Sequence, residues 1–139
     1  MTANSNKSLI MKMEYLQLFD TGILAAFCSV IFWFSHQSGF SFVPTLFPHQ
    51  DKLAHLTEYA FLGFLAWRCF RHQIKNPELL FLVSLGFCSL YGALDEIHQY
   101  FIPSRTFDVL DWLADNIGAG LSIGLLTMMR LRQECRQST

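Results

Sequence analysis

The sequence predicts an all-α fold: a polytopic membrane protein with four transmembrane helices in a bundle. Three observations carry this expectation. Hydrophobic residues make up 52% of the chain and charged residues only 15%, against about 25% charged in an average soluble domain. Four apolar segments each approach the ~20 residues that a bilayer crossing requires. Within them polar side chains gather at the ends, and no polar stripe recurs every three or four residues as it would on a water-facing amphipathic helix. The 139 residues amount to one domain. Ten basic against eleven acidic residues exclude a basic nucleic-acid binder, and the high apolar content excludes a disordered acidic tail.

The first segment, about 16–36, holds the run Gly22 to Phe34, and no Asp, Glu, Lys or Arg occurs between Asp20 and Asp51. The second covers about 53–70 and the third about 79–101. In the third, Leu79 to Leu94 is uncharged before Asp95, Glu96, His98 and Gln99 arrive together. The fourth, about 109–129, reverses that order: Asp108, Asp111, Asp115 and Asn116 come first and an apolar run follows. Gly118, Ser122, Gly120 and Gly124 are spaced for close helix packing within the bundle. Trp33, Trp67 and Trp112 sit near segment ends, as in an aromatic belt. Cys28, Cys69 and Cys88 lie in apolar runs without zinc-site spacing and read as small buried hydrophobes. No cleavable leader is recognisable, so the whole of 1–139 is read as one domain.

Lys and Arg in short connections mark the cytoplasmic side. They concentrate at the N-terminus (Lys7, Lys12), in the second connection (Arg68, Arg71, Lys75) and at the C-terminus (Arg130, Arg132, Arg136). Four crossings then place both termini on the cytoplasmic side. The outer half carries Asp51, Glu58, Asp95, Glu96, Asp108, Asp111 and Asp115, with only Lys52 and Arg105 as bases.

Carboxylates in or near the hydrocarbon region are costly and are functional or paired by default. Helical spacing aims Asp51, His55 and Tyr59 along one row, Asp95 and Gln99 along a second, and Asp108, Asp111 and Asp115 along a third. An outward polar pocket is the expectation. Headgroup water or helix capping would account equally well for Asp51 and Asp108. Asp95 needs a partner, for which Lys52 or Arg105 is available, and Asp111 is its expected acidic neighbour.

These residues resemble the VanZ-like membrane proteins. The resemblance is carried by Asp51-Lys52-x-x-His55-x-x-x-Tyr59, by Asp95-Glu96-x-His98-Gln99-x-Phe101 leading to Arg105, and by Asp108-x-x-Asp111 followed by Asn116-x-Gly118, over about residues 51–124. Leu56 and Ser104 stand where an aromatic and a glycine would be expected. The resemblance implies a bacterial multi-pass membrane protein, the namesake being associated with teicoplanin resistance. It supplies no reaction.

From the residues alone, three classes compete. One is a site for a lipid-linked or glycopeptide-related cell-envelope substrate. In it Asp95, Glu96 and His55 are the acid/base candidates, and Lys52 and Arg105 hold anionic oxygens. Tyr59 and Gln99 would orient the substrate, while Asp51, Asp108, Asp111 and Asn116 complete the wall. Crowded carboxylates raise one another's pKa and so keep a general acid protonated. A second class is metal binding through His55-x-x-Glu58 or Asp95-x-x-His98, although no ligand set is assigned and no cofactor follows from the sequence. The third is a structural, interaction or transport role, with transport disfavoured because no polar relay continues inward. The bilayer is the expected partner. His36, His49 and His72 receive no role.

Overall fold

A computed structural model describes residues 3–37, 50–103 and 105–137, with the side chains of residues 3–5 excepted. His49 and Ser104 lie outside the described residues. Four helices follow one another: α1 (Ala3–Ser35), α2 (Gln50–Phe70), α3 (Pro77–Tyr100) and α4 (Val109–Gln137). No strand occurs among the described residues.

The boundaries have local causes. Asn76 caps α3 by accepting the Leu79 amide at 2.8 Å, and Pro77 occupies the first turn, so this helix begins before the apolar run does. Asp108 opens α4, its Oδ1 accepting the Leu110 amide at 2.8 Å. The helix α1 begins 13 residues before the expected span and α4 ends eight after it. The first extension carries Lys7, Met11, Lys12 and Met13 and the second Arg130, Leu131, Arg132, Gln133 and Arg136, all of which favour helix, and neither contains Gly or Pro.

Contacts between side chains define the topology. Lys52 meets Asp111, and Trp67 donates to the Thr127 hydroxyl at 3.2 Å, so α2 and α4 run parallel. Asp20 meets Arg68 and Phe27 meets Phe61, so α1 runs against α2. Tyr91 donates to the Cys28 carbonyl at 2.6 Å, tying α3 alongside α1. The bundle is therefore up-down-up-down. Its most extensive pairing is α2 with α4, and α2 touches all three other helices.

Small residues permit that parallel pairing. A Cβ on Gly118 would strike the Leu56 carbonyl, with its carbon at 2.9 Å, and would lie 3.1 Å from the Ala60 nitrogen. Gly63 faces Ala119 and Ser122 from the other side at 3.0 and 2.8 Å. The faces of α4 divide accordingly: Gly118 and Ser122 meet α2, whereas Gly120 and Gly124 turn toward Leu85 and Phe81 of α3.

Large apolar side chains point outward. On α4 the exposed residues include Leu110, Leu113, Ile117, Leu121, Leu125 and Met128, while Ala114, Asp115, Gly118, Ala119, Ile123 and Thr127 are buried. On α3, Ser84, Cys88, Gly92, Asp95, Glu96 and Gln99 are buried and Leu82, Leu90, Leu94 and Ile97 are exposed. This corrects the expectation that no polar stripe exists. One does run along α3, but its small and polar members face the other helices while Leu82, Leu90, Leu94 and Ile97 face outward.

Three helices, Asn6–Ser35, Pro77–Tyr100 and Val109–Gln137, are long and apolar enough to cross a membrane. The expected fourth, α2, falls short by composition because it carries His55, Glu58 and Arg68. Its neighbours on three sides explain how it tolerates them. Trp67 likewise departs from the aromatic-belt expectation: it is buried and packed across to Thr127.

At the end of the bundle remote from the acids, Asp20 is buried and accepts from Arg68 Nε at 2.7 Å, with His72 Nε2 at 2.8 Å from its other oxygen. This cluster fastens α1 to the end of α2. Asp20→Asn is expected to cost about 1–2 kcal/mol, because Arg68 loses a charge-assisted partner but remains partly solvated. Thermal unfolding in detergent measures it.

Candidate functional site

Residues from the start of α2, the end of α3, the connection that follows it and the start of α4 meet at one end of the bundle. Lys52 lies between three carboxylates: its Nζ donates to Asp108 Oδ2 at 2.6 Å and Asp111 Oδ1 at 2.8 Å, and stands 3.5 Å from Asp51. Partial burial works against the ammonium charge, but the hydrogen bonds to Asp108 and Asp111 outweigh it and hold the Lys52 pKa above the ordinary lysine range. Asp108 is held below the ordinary carboxylate range, first by Lys52 and then by the Leu110 amide.

One turn deeper, His55 Nδ1 is 3.0 Å from Asp115 Oδ1. Asp115 is 1% exposed and Glu96 is fully buried. Glu96 Oε2 accepts the Asp108 amide at 3.0 Å, so the turn that opens α4 also orients this carboxylate. Among the described residues the remaining oxygens, Glu96 Oε1 and Asp115 Oδ2, have no hydrogen-bond partner, and neither has the hydroxyl of the fully buried Tyr59. One donor atom each from His55, Glu96 and Asp115 lies within 4.8 Å of the others.

Alongside runs a second chain of contacts. Gln99 Nε2 donates to Asp95 Oδ2 at 3.0 Å, and Arg105 Nη1 approaches Gln99 Oε1 at 3.5 Å. Arg105 Nε is buried without a partner. At the edge, His98 Nε2 is 3.3 Å from His36 Nδ1 and packs on Phe32.

The placement differs from the sequence reading in its pairings. Asp95 is held by Gln99 and reaches Arg105 only through that amide. Asp111 is the partner of Lys52; the acid that shares the inner space with Glu96 is Asp115. Neither His55-x-x-Glu58 nor Asp95-x-x-His98 forms the three-donor group, which draws one residue from each of α2, α3 and α4. Lys52 is surrounded by carboxylates, and Arg105 is the basic side chain with an uncommitted buried nitrogen. Asn116 turns to its own helix, donating to the Trp112 carbonyl at 2.7 Å. Asp51 is largely exposed at the rim.

Asp115 was counted among the outer acids but not among the site residues. Its signal was present, since it stands four residues beyond Asp111 and follows the same helix face. The Asp20, Arg68 and His72 cluster had a weaker signal: Asp20 is the lone charge between Glu14 and Asp51.

The VanZ/LLP1 family model matches residues 4–130. No curated protein matches the chain, and no solved structure does. The match takes in all of the site and extends the likeness beyond the three polar blocks into α1. With most of its length aligned, the chain belongs to the VanZ/LLP1 family.

Proposed function

We propose that this family member works in the bacterial cytoplasmic membrane, crossing it four times with both termini inside, and that its polar mouth faces outward to bind or act on an anionic, lipid-linked envelope precursor. Two features support the topology. The basic residues Arg68, Arg71, Lys75 and Arg130 cluster at the end remote from the acids, as cytoplasmic residues do. The α2 helix lies beside α4 from Lys52–Asp111 to Trp67–Thr127, and its 21 residues extend about 32 Å at 1.5 Å per residue, which supports reading it as the fourth crossing.

The observation that carries the functional reading is the group of buried polar atoms at the mouth that no group among the described residues satisfies: Glu96 Oε1, Asp115 Oδ2, Tyr59 Oη and Arg105 Nε. Leaving such atoms buried costs free energy that packing alone does not recover, and a ligand with both acceptors and donors would meet them. Arg105 supplies the contact to a phosphate or carboxylate oxygen. Lys52 serves to hold Asp108 and Asp111 in place. Glu96 and Asp115, close together with His55, would move protons in any reaction.

Native mass spectrometry of the purified chain is expected to find a polyprenyl-phosphate-linked lipid bound, with affinity falling at least tenfold, or about 1.4 kcal/mol, in Arg105→Ala. Helix content and membrane insertion should be unchanged. Equal lipid occupancy in wild type and Arg105→Ala would reject the mouth as the binding site.

A further inference from the structure

We infer that His55, Glu96 and Asp115 form a binding site for one divalent transition-metal cation. The donors come from three different helices, and one atom of each lies within 4.8 Å of the other two. A small inward movement brings such a set to the ~2.0–2.2 Å bonds of an imidazole and two carboxylates around zinc. One imidazole with two carboxylate oxygens suits Zn²⁺ or Mn²⁺ and leaves further positions open.

Proximity is joined by an independent observation. Glu96 and Asp115 are buried, and each presents an oxygen with no hydrogen-bond donor. Among the described residues neither nearby basic side chain bonds to these oxygens: Lys52 meets Asp108, Asp111 and Asp51, and Arg105 Nη1 is directed at Gln99. Two buried carboxylates, with His55 as the basic group bonded to one of them and further acids close by, concentrate negative charge that a dication would balance. The other oxygen of Glu96 accepts the Asp108 amide, the kind of support from outside the ligand set that fixes a metal ligand in direction.

Space is kept open on the α3 side. A Cβ on Gly92 would fall 2.9 Å from Asp115 Oδ2 and 3.2 Å from the Tyr59 ring, so only glycine leaves this carboxylate oxygen unobstructed. The site sits one helical turn inside the Lys52 cluster, between the core and the mouth. It depends on the three helices and not on the identity of the proposed lipid.

The test uses the full chain in detergent, stripped with a chelator, then equilibrated with Zn²⁺ or Mn²⁺ and analysed for bound metal. About one equivalent is expected in wild type, with affinity at least tenfold weaker in Glu96→Gln and Asp115→Asn and unchanged in Asp20→Asn. Pulsed electron paramagnetic resonance of bound Mn²⁺ with ¹⁵N-histidine labelling is expected to show one imidazole nitrogen, lost in His55→Gln. This measurement on wild type decides the matter even where a carboxylate variant fails to fold. Less than a tenth of an equivalent of either metal, no imidazole coupling, or full-affinity binding in a folded Glu96→Gln, Asp115→Asn double variant would overturn the site. Metal bound without any lipid keeps the site and removes the proposed substrate; lipid bound without metal does the reverse.

Discussion

Gly118→Val loses about 3 kcal/mol or more of folding stability, the upper end of the cost of overpacking a core, and detergent-solubilised protein unfolds at a markedly lower temperature. The added side chain meets the Leu56 carbonyl and, at 3.1 Å for its first carbon, the Ala60 nitrogen. These are backbone atoms of a helix, which cannot rotate aside as a flexible side chain could. Separation of α2 from α4 is the response available, and it also parts Lys52 from Asp111 and His55 from Asp115. Gly22→Val, at a position where a Cβ meets nothing within 4 Å, is the control and should unfold within a degree or two of wild type. Wild-type stability in Gly118→Val would show that the parallel α2–α4 contact is looser than this geometry.

The second large effect is expected from Lys52→Met, which keeps the apolar stem and removes the ammonium. Asp111, 13% exposed, then loses a charge-assisted hydrogen bond of 2.8 Å, a cost of about 1.5–3 kcal/mol. The pH dependence follows in sign. Asp108 is depressed by Lys52, so its share of stability is present above the unfolded aspartate value near ~4 and is lost as pH falls through the folded value. Lys52 is raised, so its share is full below the unfolded lysine value near ~10 and is lost as pH rises through the folded one. The gap between wild type and variant is therefore widest from about pH 4 to 10 and narrows outside it. Asp111→Asn in the Lys52→Met background should recover part of the loss. A gap independent of pH would assign the effect to packing.

Much of the bundle was legible because bilayer crossing imposes a length and a composition that a single segment carries within itself. The long uncharged run of α3 and the reversed order of polarity in α4 located both helices to within two residues at the ends that face the acids. The extra turns of α1 and α4 were not visible in hydropathy, since helix continues wherever propensity allows and does not stop where apolarity does. The shortfall of α2 was concealed differently: a helix covered by neighbours tolerates polar side chains, and its neighbours are not recorded in its own sequence.

At the candidate site the residue types were readable but their partners were not. Asp95, Glu96, His55 and Lys52 stood out because ionisable groups are expensive near hydrocarbon. Which carboxylate approaches which depends on the rotation of each helix about its axis. That rotation is set by Gly118 against Leu56, by Gly63 against Ala119 and by the outward preference of the large apolar side chains.

The sequence by itself determined that this chain builds a bundle of apolar helices with most of its acids toward one end and most of its bases toward the other, because charge and hydropathy act residue by residue. Only the tertiary structure decided that Lys52 is enclosed by Asp108 and Asp111, that Asp115 rather than Asp111 joins Glu96 and His55, and that Asp20 anchors α1 to Arg68 and His72. The pairings between α2 and α4 join residues 56 to 60 positions apart, and they exist because glycine-lined helix faces let these two parallel helices approach closely enough to bring their first turns together.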